Sequence, residues 1–442
     1  MREGIATRAH RWLTGGNDEP VCIDIPDSAC EAQPRNFFVH VFSIGATKTG
    51  DGLADPKLAL SWLLTALGAP AGLIGLLVPV REAGSLLPQL ATAGLIHRLS
   101  QRKWVWAGGS LVQGLAVAGM GLAALRLEGN AAGWTIVGLL AVFAVARSVC
   151  SVSYKDVLGK TVSKSTRGTA TGAAATVAAV LVLAFGVLLS LGVIPLSTRT
   201  IAMALFAGAG LWLLAGVLFT TLAEEPGAIE NQGDAWSVVR RQVSLLRDDP
   251  QLVRFTIARA LLTSTALAPP FLLTLAGSSG RTSFADLGPF VVASSLASVV
   301  STYIWGRLSD RSSRRVLILS GLIGAGVLAA TAAIGRAGLD PSVTRWLLPL
   351  LLLVLMIAYQ GVRLGRSTHL VDMATADTRA AYTALSNTII GVVLIGGSGF
   401  GLLAEAIGPA GVLGVFGAMA LAAALVALGL EEVQLHARDR NA

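Results

Sequence analysis

Charge is scarce in this chain: Asp, Glu, Lys and Arg make up 14% of the 442 residues, against 53% that are hydrophobic. A soluble domain carries roughly a quarter charged residues, so a water-soluble globular class is excluded. Cysteine is nearly missing. Cys22, Cys30 and Cys150 form neither a CxxC pair nor a disulfide ladder, and Cys150 falls within an apolar run, so no metal or redox role follows. The histidines His10, His40, His97, His369 and His436 are scattered. With no nucleophile–base arrangement, metal-ligand spacing or nucleotide loop, the sequence points away from an enzyme and from any cofactor. Residues 1–36 are polar, with Pro20, Pro26 and Pro34, and lack the apolar core of a cleavable signal peptide. They read as a cytoplasmic tail. Strand-like alternation is not seen either, which leaves helices as the spanning element.

What the chain has in abundance is long apolar runs. Crossing roughly 30 Å of hydrocarbon takes about 20 helical residues, and runs of that length can be placed twelve times. They lie near 37–57, 71–97, 104–126, 134–157, 169–194, 200–222, 252–276, 284–306, 316–336, 345–367, 381–406 and 409–430. The first is interrupted by Lys48, Thr49, Asp51 and Asp55, and a hydropathy window prefers 58–80. That alternative leaves about 15 residues for the following helix before Arg98, short of a full span. The expectation is therefore a helix over 37–57 and a short outer connection over 58–69.

Basic residues divide unevenly between the two sides of this arrangement. One side receives Arg98, Arg102, Lys103, Lys155, Lys160, Lys164, Arg167, Arg240, Arg241, Arg247, Arg307, Arg311, Arg314, Arg315 and Arg379; the other chiefly Arg126, Arg199, Arg281 and Arg345. Lys and Arg flanking spans are retained in the cytoplasm, which predicts cytoplasmic termini in a cell inner membrane. The formal charge of +8 is thus loop charge, and nucleic-acid binding is not expected. The long polar connection 223–251, with Glu224-Glu225-Pro226 and the basic amphipathic stretch 236–247, separates a six-helix bundle over 37–222 from another over 252–430, with a short tail at 431–442. The fold class read from the sequence is an all-α membrane protein of twelve transmembrane helices in two pseudo-symmetric bundles.

The halves repeat at an offset of 212. Gly94 matches Gly306, Arg102-Lys103 matches Arg314-Arg315, Gly109 matches Gly321, Gly114 matches Gly326, Thr166-Arg167 matches Thr378-Arg379, and Thr171 matches Thr383. Internal duplication with binding at the repeat interface is a common plan of secondary transporters.

The decapeptide Gly306-Arg307-Leu308-Ser309-Asp310-Arg311-Ser312-Ser313-Arg314-Arg315 resembles the signature of the major facilitator superfamily, Gly-x-x-x-Asp-Arg-x-Gly-Arg-Arg, with Ser313 in place of the second Gly. It lies between the second and third spans of its half, and the resemblance covers about residues 37–430. It implies the family's fold and a cytoplasmic gate made by Gly306, Asp310, Arg311, Arg314 and Arg315. A glycine there permits close helix approach, and a carboxylate among guanidiniums can pair differently in two conformers. Alternatively, the arginines only anchor topology. The N-terminal copy departs from the signature, with Arg98 at the Asp position, Leu99 for Arg and Gln101 for Gly. The fifth span has no Gly-Pro pair of the kind that marks proton-linked drug exporters, and the sixth ends without the longer motif of sugar porters, so antiport export and a sugar substrate are disfavoured.

Ionisable residues at mid-membrane are costly unless paired or hydrated. Lys48 and Asp51 share one face of the first span, while Glu82, Ser85 and Gln89 share one face of the second beside Arg81. Facing stripes would line a water-filled cavity. In one reading Asp51 or Glu82 exchanges a proton while Lys48 and Arg81 compensate charge or meet an anionic solute; in the other, the groups form a permanent packing network. Arg147 shares a face with Cys150 and Tyr154, and either lines the cavity or pairs with an acid such as Asp51. Arg363 and Arg366 lie near an inner end, where they can snorkel, and with Tyr359 form a one-sided stripe that reads as packing polarity. Pro70, Pro79, Pro88, Pro269-Pro270 and Gly288-Pro289 mark bends. The expected function is secondary transport of a small solute, anionic or amphiphilic, by alternating access with proton coupling. The partners are the solute, protons and lipid, and the expected state is a monomer. The competing expectation is a major-facilitator-fold receptor or assembly factor that does not transport.

Overall fold

The computed structural model describes residues 30–89, 99–226, 246, 249–278, 287–309, 311–338, 340–374 and 379–433. Most of the N-terminal tail, the stretch around Gly94 and Arg98, nearly all of the central segment, Asp310, Thr378 and the last residues lie outside them. Among the described residues there are fourteen helices and no strand. They are α1 (Gln33–Leu53), α2 (Ala59–Ala66), α3 (Ala71–Leu86), α4 (Lys103–Arg126), α5 (Gly129–Thr161), α6 (Lys164–Ser190) and α7 (Thr198–Thr220) in the first half. The second half has α8 (Pro250–Leu262), α9 (Ser264–Ser278), α10 (Leu287–Ser309), α11 (Ser313–Ala337), α12 (Pro341–Met373), α13 (Arg379–Gly397) and α14 (Gly399–Ala427). Eight helical stretches are long and apolar enough to cross a membrane.

Helix starts follow local chemistry. Ser197, Asp249, Ser312 and Asp340 each accept a backbone N–H of the following turn, and Pro250 and Pro341 occupy first-turn positions where the missing N–H costs nothing. Two bonds from Ser342, Oγ at 2.6 Å and N at 2.8 Å, hold the exposed Asp340 carboxyl below the usual carboxylate range. Gly408, at φ +74°, precedes Pro409 and breaks α14 into two limbs, because only glycine adopts that backbone without strain. Large side chains facing outward, such as Leu115, Val180, Val217 and Leu425 at 59–65% exposure, form an apolar mantle suited to lipid.

The stretch 58–69 differs from the expected outer connection. Residues 59–66 form α2, with Leu60, Leu63 and Leu64 fully buried, while α1 begins at Gln33 and ends at Leu53. An apolar segment buried away from water must satisfy its backbone internally, and a helix does so. Nor does the 58–80 window form one helix. Gly68 at φ +73° and Pro70 interrupt it, and α3 starts afresh at Ala71.

The duplication reappears in the packing. In the first half α3 packs on α5, and α4 packs on α5 and α7; in the second, α10 packs on α12, and α11 packs on α12 and α14. The halves meet along two seams, α3 against α13 and α14, and α6 against α10. Each seam rests on a glycine. A Cβ at Gly75 would lie 2.5 Å from the Cα of Gly401, and one at Gly288 would lie 2.5 Å from the Ser190 nitrogen, the close approach that small residues allow between membrane helices.

Inside the first half, Gly50 of α1 faces the Trp212 ring of α7, which would stand 2.7 Å from an added Cβ. Gly50→Val is expected to lower the thermal unfolding midpoint of the detergent-solubilised protein, at a cost of about 1–3 kcal/mol. Gly108→Val, where nothing lies within 4 Å, should leave it near the parent value. Equal midpoints for the two variants would contradict this packing.

Candidate functional site

The charges singled out on the first two spans do come together. Asp51 on α1 uses both oxygens: Oδ1 accepts from Arg81 Nη2 on α3 at 3.0 Å, and Oδ2 from Arg147 Nη2 on α5 at 2.7 Å. Arg81 also lies over the Phe143 ring, 4.9 Å from its centroid. One carboxylate therefore ties three helices of the same half, and Arg147 takes the pairing role. Lys48, one turn before Asp51, is exposed and lies within electrostatic reach of Asp51, Arg147 and Arg363.

Glu82 follows Arg81 but points elsewhere, because successive helical residues diverge by about 100°. Its Oε1 is 3.7 Å from Lys57 Nζ. Lys57 sits in the break between α1 and α2 with 7% of its surface exposed. Its ammonium donates to the Tyr359 hydroxyl of α12 at 3.0 Å and lies 4.4 Å from that ring's centroid. Sequence reasoning passed over Lys57, placing it at the end of a span. The available signal was a lysine between apolar stretches with Asp55 two residues before it; Asp55 Oδ1 accepts the Lys57 backbone N–H at 2.7 Å.

A cavity opens between the halves, and among its walls are Glu82, Arg259, Tyr359, Arg363 and Arg366. Arg259 on α8 is 6% exposed. It donates to Ser386 Oγ at 2.7 Å and Asn387 Oδ1 at 2.8 Å on α13, while its Nε has no hydrogen-bond partner. Asn387 in turn donates to Gln89 of the first half at 3.3 Å, and Gln89 donates to Ser85 O at 2.9 Å. The stripe Tyr359, Arg363 and Arg366, read from sequence as packing polarity, is cavity wall.

The proposed gate residues are less concentrated. Asp310 lies outside the described residues, and Arg311 and Arg315 are exposed. Among the described residues a Cβ at Gly306 would meet nothing within 4 Å. Arg314 donates to Leu428 O at 2.5 Å, Ser312 donates to Glu432 at 2.7 Å and Ser313 meets His369 at 2.9 Å. Among the described residues a dense ionic cluster stands at the degenerate N-terminal copy. Asp156 pairs with Arg102 and with Lys160 at 2.8 Å. The fully buried Glu224 lies 3.8 Å from Lys160 and accepts the backbone N–H groups of Arg102 at 3.0 Å and Lys103 at 2.8 Å. Among the described residues no group of acids, histidines and cysteines could hold a metal.

No family model matches the sequence, and no curated protein sequence matches it. Solved structures match in shape. A point mutant of the nucleoside transporter NupG superposes with a TM-score of 0.70 at 16% identity, covering 89% of this chain and 98% of that one. A POT family transporter in complex with a thioalcohol-conjugated peptide gives 0.67 at 13% identity, covering 92% and 98%. The inward-open xylose transporter XylE from E. coli gives 0.64 at 12% identity, covering 89% and 95%. The chain has the fold of major facilitator transporters.

The Asp51 clamp makes a testable claim about coupling. Asp51→Asn and Arg147→Gln should each destabilise the protein by about 1–3 kcal/mol, and the double variant should lose less than the sum. Additive losses in a denaturation cycle would show that the two side chains do not act as one unit.

Proposed function

We propose that this protein is a secondary transporter that moves a small anionic or amphiphilic solute across the cytoplasmic membrane by alternating access, with protons as the coupling ion. The observation that carries this reading is a charged cavity bounded by helices of both halves, in a chain with a transporter fold. Twelve crossings follow if α1 with α2, α8 with α9, and α13 with the first limb of α14 each make one broken crossing, and the second limb of α14 makes the last. The end bearing Lys155, Lys160, Arg311 and Arg315 is then cytoplasmic, with both termini. The glycine seams at Gly75–Gly401 and Gly288–Ser190 lie toward the outer end, so this conformation has the halves joined outside.

Glu82 is favoured over Asp51 as the proton carrier. Protonating Asp51 would leave two guanidiniums facing one another without a counter-charge, a costly state in a low-dielectric setting. Glu82 has one cation at 3.7 Å and is the carboxylate among the cavity walls. A proton there removes the carboxylate charge that Lys57 meets within its own half and leaves its ammonium with Tyr359 of the second, so proton occupancy and the contact between halves are linked.

Proteoliposomes offered a solute panel, with and without an imposed pH gradient, test the reading. Gradient-dependent flux of at least one solute is expected; a flat response to every solute in both directions would favour the non-transporting receptor. Glu82→Gln should keep solute exchange at equilibrium and lose acceleration by the gradient. Unchanged gradient dependence in that variant would remove Glu82 as the proton site.

A further inference from the structure

The cavity holds more positive charge than its own acids meet. Arg259, Arg363 and Arg366 line it against a single carboxylate, Glu82, and Lys57 already stands beside that carboxylate. Arg259 is the most demanding of the three. Its guanidinium is buried, and among the described residues its side-chain partners are the neutral Ser386 and Asn387 while its Nε has no acceptor. A buried cation without a counter-ion costs several kcal/mol unless an anion completes it. Arg363, about one turn from both Tyr359 and Arg366 on the same helix face, hydrogen-bonds the neutral Gln360 Oε1 at 3.3 Å, lies 5.9 Å from the Tyr359 ring and shares Glu82 electrostatically with Arg366. The remaining wall includes Leu86, Leu262, Ile390 and Leu394, which offer nothing to a polar body and suit an aliphatic one.

We infer that this cavity binds an organic dianion with a short aliphatic body, one acid group resting on Arg259 and the other between Arg363 and Arg366. The inference deepens the transport reading by giving its solute a class. The two acid groups are carboxylates or phosphates, since guanidinium forks accept either. Ser386 and Asn387 fix the plane of the Arg259 fork, so recognition there depends on geometry as well as charge. Apolar walls around three like charges also concentrate anions from solution.

The test is calorimetric binding to the purified full chain, with adipate and butane-1,4-diphosphonate as two-headed acid probes and hexanoate and hexylamine as controls of similar body length. At least one dianion should bind roughly tenfold or more tightly than hexanoate, the effect of one added charge-assisted contact, and hexylamine should not bind. A preference for adipate assigns dicarboxylates, and a preference for butane-1,4-diphosphonate assigns phosphoryl acids. Arg259→Gln should weaken the preferred dianion roughly tenfold or more. Should that variant fail to fold, Arg363→Gln, at an exposed position, decides with the same expected loss. Dianions binding no better than hexanoate, or an Arg363→Gln protein of parent affinity, would overturn the inference. Its failure is separable from that of transport: flux of a neutral or cationic solute without dianion binding sinks only the dianion site, and dianion binding without flux of any solute sinks only transport.

Discussion

Asp51 is the residue on which the arrangement of the first half depends. Its carboxylate is shared by Arg81 and Arg147, so α1, α3 and α5 are held in one register about a single charge. Fixing Arg81 toward that clamp also fixes its neighbour Glu82 toward the cavity. The Asp51 pairing and the place of Glu82 in the cavity wall are thus two consequences of one helix rotation. A pairing shared by two cations with a carboxylate is tight enough to persist through movement, whereas a single contact at 3.7 Å between Glu82 and Lys57 is loose enough to change.

The same division of labour separates contacts inside a half from contacts between halves. Within the first half, Asp156 and Glu224 gather Arg102, Lys103 and Lys160 by ion pairs and backbone N–H donors together. Across the halves, polar ties among the described residues include the single bonds from Lys57 to Tyr359, from Asn387 to Gln89, and from the Gly72 N–H to Glu405 at 3.1 Å. Net contributions near 1 kcal/mol each make such ties reversible. The apolar seams obey the same logic, since glycine faces bring backbones close without interdigitating side chains that would have to unlock.

Much of this was legible in the sequence, and the illegible parts have physical causes. Hydropathy and basic-loop asymmetry gave the helical architecture, and three-residue spacing put Lys48 and Asp51 on one face, expected to meet a stripe of Glu82, Ser85 and Gln89 on the next span beside Arg81. Hydropathy could not see that 59–66 folds into α2, because an apolar stretch reads alike as half a span or a separate helix. Lys57 and the Arg363 stripe were misjudged for a related reason. Depth along a helix can be estimated from residue count, but which neighbour a side chain faces depends on helices 300 residues away in sequence, as Lys57 and Tyr359 are. The N-terminal loop copy shows the converse error. Its signature is degraded, yet the ionic cluster forms there, because the acids come from Asp156 and Glu224 rather than from the loop itself.

The halves therefore differ in electrostatic role. The first half neutralises its buried charges internally through Asp51, Asp156 and Glu224, whereas the second presents Arg259, Arg363 and Arg366 to the space between them. Three like charges in one cavity oppose each other across low-dielectric walls, and any motion that draws those walls together raises the repulsion. An anion that enters removes this opposition and binds best where the walls are close, so it favours closure by its differential affinity for the two states. An empty cavity resists closing for the same electrostatic reason. On the proposed transport reading, charge placement of this kind makes closure conditional on occupancy, which is the requirement a coupled carrier has to meet.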